Sequence, residues 1–184
     1  MEPPVTQLAL AADLTREQRF AAFVAAHRDR AVALAWRLLG GDRAAAEDVA
    51  QQAFVKAWRG LDGFRGEAKL STWFHRILVR QVRSHQRWHG VRDKLGLLSK
   101  DGEVPQGAVE PPTPDGGMQR RIARAMQTLS AGQREAFTCI HLEGLTVEET
   151  AAVLGRAPGT VKSHLHRALK KLRAELHDLR EEAA

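Results

Sequence analysis

The stretch LDGFRGEAKLSTWFHRILVRQVRSHQRWHGVR, from Leu61 to Arg92, decides how the rest of the chain is read. Between Glu67 and Asp93 it holds no acidic residue, yet it carries Lys69, Arg76, Arg80, Arg83, Arg87 and Arg92. Arg76, Arg80, Arg83 and Arg87 follow one another at steps of four, three and four, which stacks them along one face of a helix. Trp73 lies one turn earlier on that face, and Trp88 sits near the far end. Phe74, Ile77, Leu78 and Val82 form the opposite, apolar face, and Ser71 or Thr72 is the expected N-cap. A basic stripe beside aromatic rings suits a nucleic-acid backbone, and the rings suit unstacked bases.

Upstream, the pattern predicts two helices that bury the inner face of this one. Residues 1–14 read as a flexible lead-in with Pro3 and Pro4. Thr15 and Gln18 have capping-box spacing. Phe20, Phe23, Val24, Ala31, Leu34, Ala35 and Leu38 then recur with a helical period until Gly40 and Gly41 stop the run. Asp42 caps the next helix, whose apolar face is Ala46, Val49, Ala50, Ala53, Phe54, Ala57, Trp58 and Leu61. Its polar face shows Asp48, Gln51, Gln52, Lys56 and Arg59. Gly60, Gly63 and Gly66 punctuate the loop before the basic helix. Trp36 and Trp58 lie near the apolar faces and are expected in the core. Residues 15–89 thus form one all-α unit.

Downstream, residues 90–117 read as a linker, with Pro105, Pro111, Pro112 and Pro114 among several glycines. Roughly 28 residues extend at most ~90 Å, enough to hold two units well apart. The second unit, residues 118–180, opens with a helix bearing Ile122, Ala125, Met126 and Leu129. Capping-box spacings at Ser130–Gln133 and Thr146–Glu149 open two more. After the turn from Arg156 to Gly159 comes a long helix with the seam Val161, Leu165, Ala168, Leu169, Leu172, Leu176 and Leu179. A short helix, a glycine-containing turn and a longer helix make a helix-turn-helix. Its polar face presents Lys162, Ser163, His166, Arg167 and Lys170, and from Thr150 to Ala174 there is no acidic residue. In such motifs the start of the second helix reaches base edges in the major groove while flanking cations hold phosphates.

Composition agrees with this picture and narrows it. The 184 residues are 43% hydrophobic and 27% charged with a net charge of +6, which fits folded protein with a polyanionic partner. One cysteine, Cys139, excludes an intramolecular disulfide. It lies on an apolar helix and reads as a small buried hydrophobe. The N-terminus lacks a basic n-region, and no stretch approaches the ~18 apolar residues of a membrane span, so the expected location is cytoplasmic. His85 with His89, and Cys139 with His141, fall short of the four converging donors of a structural zinc site. No nucleophile constellation, Walker loop or dinucleotide fingerprint occurs, so neither an enzyme nor a cofactor is expected.

From about Arg19 to Arg173 the chain resembles the extracytoplasmic-function group of bacterial RNA polymerase sigma factors, in the sigma-70 superfamily. AEDVAQQAFVKAW (Ala46 to Trp58) and FRGEAKLSTWFHRI (Phe64 to Ile77) resemble that family's second conserved region. LEGLTVEETAAVLGRAPGTVKSHLHRALKKLR (Leu142 to Arg173) resembles its fourth. The resemblance implies a protein that joins core RNA polymerase, recognises and melts a promoter, and starts transcription. It implies that Asp48, Gln51 and Gln52 grip polymerase. It implies that Phe64, Arg65, Lys69, Ser71, Thr72, Trp73, Arg76, Arg80, Arg83 and Arg87 melt and read the minus-ten element. Thr160, Lys162, Ser163, His164, Arg167 and Lys170 would read the minus-thirty-five element. The family often has a carboxylate at Gln52, an asparagine at Arg80 and an arginine at His164. A promoter spacer of about 17 base pairs spans roughly 60 Å, within reach of the linker. The resemblance also implies an anti-sigma factor as a partner.

PGTVKSHL is also similar to the LuxR-type helix-turn-helix, so the rival reading is a transcriptional regulator that never joins polymerase. Such regulators carry an α/β receiver or ligand-binding domain upstream, for which the first unit offers no strands. An RNA-binding adaptor would explain the basic helix and its tryptophans, but not the second unit's major-groove grammar.

Overall fold

The computed structural model describes residues 15–66, 68–94 and 116–177. Within them the chain is all-α, without a strand. Helices α1 (Arg16–Leu39), α2 (Arg43–Gly60) and α3 (Leu70–Lys94) make the first unit. Helices α4 (Gly116–Thr128), α5 (Ala131–Phe137), α6 (Val147–Leu154) and α7 (Pro158–Glu175) make the second, and α5 continues as a π-helical turn over Thr138–Leu142. The expected lead-in of residues 1–14, most of the expected linker, Leu179 and the end of the second unit lie outside the described residues.

The caps fall where side-chain chemistry puts them. Thr15 accepts from the Gln18 N–H while Gln18 accepts from the Thr15 N–H, and Thr146 and Glu149 repeat the exchange at α6. Asp42 accepts from the Ala45 N–H at 2.9 Å. Gly40 closes α1 at φ 78°, where a side chain would clash with its own backbone.

Helix α3 departs from its expected limits. The Trp73 N–H donates to the Lys69 carbonyl, so Lys69 is the N-cap, and Ser71 and Thr72 lie inside the first turn. At the other end α3 runs through Gly90 to Lys94. One glycine costs a helix only about 1 kcal/mol, and no proline follows before Pro105. The second unit likewise begins at Gly116 rather than Met118.

Phe74 is the centre of the first unit. Its ring stacks on Phe54 at 4.4 Å and meets Phe23 edge-on at 5.5 Å. Leu34, Leu38, Val49, Leu78 and Val82 close around it. Trp36 is not in this core: it is 39% exposed and donates its indole N–H to the Gly41 carbonyl. It sits one step off the buried stripe of Leu34, Ala35 and Leu38. Trp58 is half-buried under the Arg16 guanidinium, 4.6 Å from its ring.

The two units pack directly on each other. Residues of α1, α2 and α3 share one continuous core with Ala136, Cys139, Ala151, Val153, Leu154 and Val161. Helix α3 is therefore covered on two sides: His75 is buried against Glu143 of the second unit, while Gln81 is buried against Gln52 and Lys56 of α2.

Candidate nucleic-acid interface

On the first unit, the loop between α2 and α3 presents two of the sequence candidates as a pair. Phe64 and Trp73 are half-buried, with ring centroids 5.3 Å apart at 47°. The Trp73 ring also lies over Gly60, where a Cβ would make only an ordinary contact with the indole, at 3.5 Å. Arg65 and Lys69 flank the rings and are exposed, and Ser71 and Thr72 are half-buried behind them. Two aromatic faces between cations is the arrangement that stacks unpaired bases and holds their phosphates.

The arginine stripe divides in two. Arg80 and Arg87 are exposed and line a shallow groove with Lys56, Gln81, Arg83 and Ser84. Arg76 and Arg83 instead reach across to the second unit. The Arg76 guanidinium donates to the Ala152 carbonyl at 3.1 Å. Arg83 holds both carboxylate oxygens of Glu135, at 2.7 and 2.8 Å, and also donates to the Leu154 carbonyl at 2.9 Å. Arg156 adds a third cationic contact to Glu135, at 3.1 Å. The hydrogen bond to Glu135 holds the Arg83 pKa above the ordinary arginine value, against the effect of burial.

A second buried carboxylate repeats the pattern. The Glu143 side chain is 1% exposed and accepts from Arg30 at 2.7 Å and Arg37 at 3.4 Å. The same Arg30 also donates to the Glu143 carbonyl. His75 stands 3.8 Å from Glu143, but burial lowers its pKa more than the carboxylate raises it, so the imidazole is neutral near pH 7. The two arginines therefore carry the compensation. Removing one partner of such a pair strands a buried charge, at a cost of about 3–5 kcal/mol.

Glu135 and Glu143, with their partners Arg30, Arg37 and Arg156, were not among the sequence candidates. The signal was faint but present: Glu135 shares its helix face with Gly132, Ala136 and Cys139, all buried. An acid in an apolar phase is an acid that needs a buried cation.

On the second unit, Gly155 turns the chain at φ 61° between α6 and α7, and Pro158 opens α7. Thr160, Lys162, Ser163, Arg167 and Lys170 are exposed along α7, as a major-groove helix requires. His164 is half-buried against α5, where only the absent side chain of Gly132 leaves room for it. Burial, Arg156 and Arg167 all lower its pKa, so it is neutral near pH 7.

On the far side of α2, Asp48, Gln51 and Gln52 are exposed around a shallow depression that Val55, Lys56 and Arg59 complete. Gln52 donates to Asp48 and accepts from Gln81, and Gln81 accepts from Lys56. This polar chain runs from the α2 face to the groove beside Arg80.

Other candidates hold no site. Cys139 is buried and free, and burial pushes its thiol up to about 12, so it stays protonated and unreactive. Among the described residues no group of three His, Cys, Asp or Glu side chains is placed to hold a metal ion. No described helix is long and apolar enough to cross a membrane.

Residues 23–90 match the family profile of Sigma-70 region 2, and residues 119–172 that of Sigma-70, region 4. The RNA polymerase sigma-H factor of Pseudomonas aeruginosa is 32% identical over 151 residues, covering 77% of this chain and 78% of that one. The ECF RNA polymerase sigma-E factor of Escherichia coli K12 is 33% identical over 130 residues, covering 66% and 68%. Among solved structures, the sigma factor RpoE of Bartonella quintana, in complex with the anti-sigma factor NepR, superposes with a TM-score of 0.69. It shares 28% identity and covers 86% of this chain and 97% of its own. CnrH, in complex with the cytosolic domain of CnrY, gives a TM-score of 0.64 at 28% identity, covering 92% and 94%. The region 2 match spans the unit in which a LuxR-type regulator would need an α/β domain, and that rival reading falls away. With both conserved regions in order and relatives matched along most of their length, the chain belongs to the extracytoplasmic-function group of the sigma-70 family of RNA polymerase sigma factors.

Proposed function

We propose that this chain binds core RNA polymerase through the α2 face of Asp48, Gln51 and Gln52, and directs it to promoters through two DNA surfaces. Phe64 and Trp73 stack a melted minus-ten base. Arg65, Lys69, Arg76, Arg80, Arg83 and Arg87 hold the backbone around it, with Ser71 and Thr72 beside the rings. Thr160, Lys162, Ser163, Arg167 and Lys170 read the minus-thirty-five duplex, and His164 supports that helix as a neutral side chain.

The observation that carries this reading is the pairing of an aromatic, cation-flanked loop with an acid-free recognition helix on one chain. Each surface suits a different form of DNA. Stacking one base on an aromatic contributes about 1–3 kcal/mol, comparable with the cost of extruding it. The chain alone therefore does not open a duplex, and melting takes place on polymerase. It carries out no reaction of its own, because the nucleotide chemistry belongs to the polymerase.

Its place of work is the cytoplasm, where promoter and polymerase are. The sigma factor RpoE of Bartonella quintana is in complex with an anti-sigma factor, and CnrH with the cytosolic domain of CnrY. An anti-sigma factor is accordingly the expected regulator here.

Asp48 is exposed, so Asp48→Arg leaves the fold intact and tests the polymerase face. A tagged wild-type chain should retain core polymerase from the cells that make it, and Asp48→Arg should lose it. Equal retention by both would refute the assignment of that face.

A further inference from the structure

One side chain of α7 that the family resemblance sends to DNA is turned inward by the fold. The buried seam of α7 runs through Val161, Leu165, Ala168 and Leu172, while Lys162, Ser163, Arg167 and Lys170 stand on the exposed side. Around the helix axis, His164 falls between the two, about 60° from Arg167 and about 70° from the middle of the seam. An imidazole at that boundary can point either way, and α5 decides which.

The deciding residue is Gly132, which is buried on α5. A Cβ on it would stand 2.9 Å from Cε1 of His164, 3.1 Å from its Nε2 and 2.6 Å from Nη1 of Arg156. Those distances lie well inside the ~3.5–4.0 Å of an ordinary contact between carbon atoms. The ring and the guanidinium therefore occupy the space that a side chain would take. Glu135, one turn along α5, holds Arg156 in place through Nη2 at 3.1 Å. His164 has no such tether: its Nδ1 is buried and makes no hydrogen bond among the described residues. Packing alone seats the imidazole, so a change of shape at residue 132 is enough to move it.

We propose that Gly132 is a specificity-determining positioning residue: its bare Cα seats His164 between α5 and α7, keeps the imidazole off the minus-thirty-five duplex, and leaves base reading to Lys162, Ser163 and Arg167. The proposal rests on the reading of α7 as the recognition helix. It adds that a residue outside that helix decides which of its side chains take part. A side chain at 132 turns His164 toward Arg167 and the DNA, where the imidazole offers one donor and one acceptor to base edges. A new preference at one base pair follows, of about fivefold or more, the lower end of a good base contact.

Gly132→Leu fills the seat, and Gly132→Ala intrudes on it. Circular dichroism checks that the helices survive, and Gly132→Ala alone carries the test if Gly132→Leu does not keep them. The imidazole C–H resonances of the full chain, assigned with His164→Gln, report the seat without DNA or polymerase. Base preference is read by selection from duplexes randomised over the minus-thirty-five element, using the chain joined to core polymerase.

In the wild type His164 should titrate below the ordinary 6.5, because burial, Arg156 and Arg167 outweigh the pull of Glu135. In the Gly132 variants its resonances should shift and its midpoint should rise toward 6.5. The variants should enrich an element that differs from the wild type's at one base pair by about fivefold or more. Gly132→Ala combined with His164→Ala should enrich the wild-type element again. Variants in which the His164 titration does not move would overturn the proposal. So would variants that move it yet select the wild-type element, or that weaken every sequence alike, as a purely structural role would. A new preference that survives His164→Ala would overturn it too. If the wild type itself enriches no element, the reading of α7 fails and takes the proposal with it, an outcome distinct from a wild-type element that the variants leave unchanged.

Discussion

Arg83 on α3 and Glu135 on α5 meet through two nearly equal hydrogen bonds, Nε to Oε1 at 2.7 Å and a terminal nitrogen to Oε2 at 2.8 Å. The pair joins the helix that carries the basic stripe to the unit that carries the recognition helix. Of the four arginines of the stripe, Arg76 and Arg83 are bonded to the second unit, while Arg80 and Arg87 are exposed.

That separation predicts unequal salt behaviour. Arg80→Ala and Arg87→Ala should each weaken single-stranded binding at all sequences and flatten the salt dependence by roughly 0.7 in log–log slope. Arg83 is engaged by Glu135 and the Leu154 carbonyl, so Arg83→Ala should lower affinity at low salt less than Arg80→Ala does. Titrations at four salt concentrations distinguish the two. An unchanged slope in all three variants would count against any phosphate role.

The α7 face predicts a different signature. Arg167→Ala should lose about 1–3 kcal/mol on a matched minus-thirty-five duplex and little on a scrambled one, whereas Lys170→Ala should lose similar amounts on both. Competition binding with matched and scrambled duplexes measures this. Equal losses for Arg167→Ala would make it a backbone contact.

Two neighbouring aromatics should part company under mutation. Phe74 is 2% exposed and packed against two other rings, so Phe74→Ala should cost about 3–5 kcal/mol in denaturant unfolding. Trp73 is half-buried over the loop. Trp73 packs on the edge of the core, so Trp73→Ala should cost clearly less stability than Phe74→Ala, yet bind single-stranded DNA about 1–3 kcal/mol more weakly. A Trp73→Ala protein with full binding would make that ring a lid on the core and nothing more.

His75 predicts an acid sensitivity. Its folded pKa lies below the ordinary value of 6.5, chiefly through burial, so the unfolded chain takes up its proton first as pH falls. The stability that neutral His75 contributes is thus present above pH 6.5 and is lost as pH drops through the unfolded value. His85 and His164 are shifted the same way and add to the trend. Thermal unfolding should fall between pH 7 and pH 5.5, and His75→Gln should fall less steeply. Identical slopes would show that His75 is not the group responsible.

Most of the architecture was legible because it follows from local rules. The glycine stops at Gly40 and Gly155, the caps at Thr15, Asp42 and Thr146, and the apolar periods of α1 and α2 all act within one or two turns. The loop pair of Phe64 and Trp73 could be placed because both bracket one short, glycine-punctuated segment. Lys69 as the cap of α3 could not, since a lysine has no side-chain acceptor to announce it. The closed packing was not legible either. A linker of roughly 28 residues permits any separation up to ~90 Å, and the first-unit arginines that reach Glu135 and Glu143 lie 52 and more residues away in sequence. Nothing local marks Arg83 as engaged and Arg80 as free.

The central claim is that this chain is the promoter-recognising subunit of a polymerase. Purified chain is added to core RNA polymerase from the cell that makes it, with genomic DNA as template, and the transcript starts are mapped. New starts that share a minus-ten and a minus-thirty-five element, absent without the chain and lost with Asp48→Arg, are the predicted result. Tight, specific binding of the isolated chain to duplex DNA, with no new start from core enzyme, would contradict it.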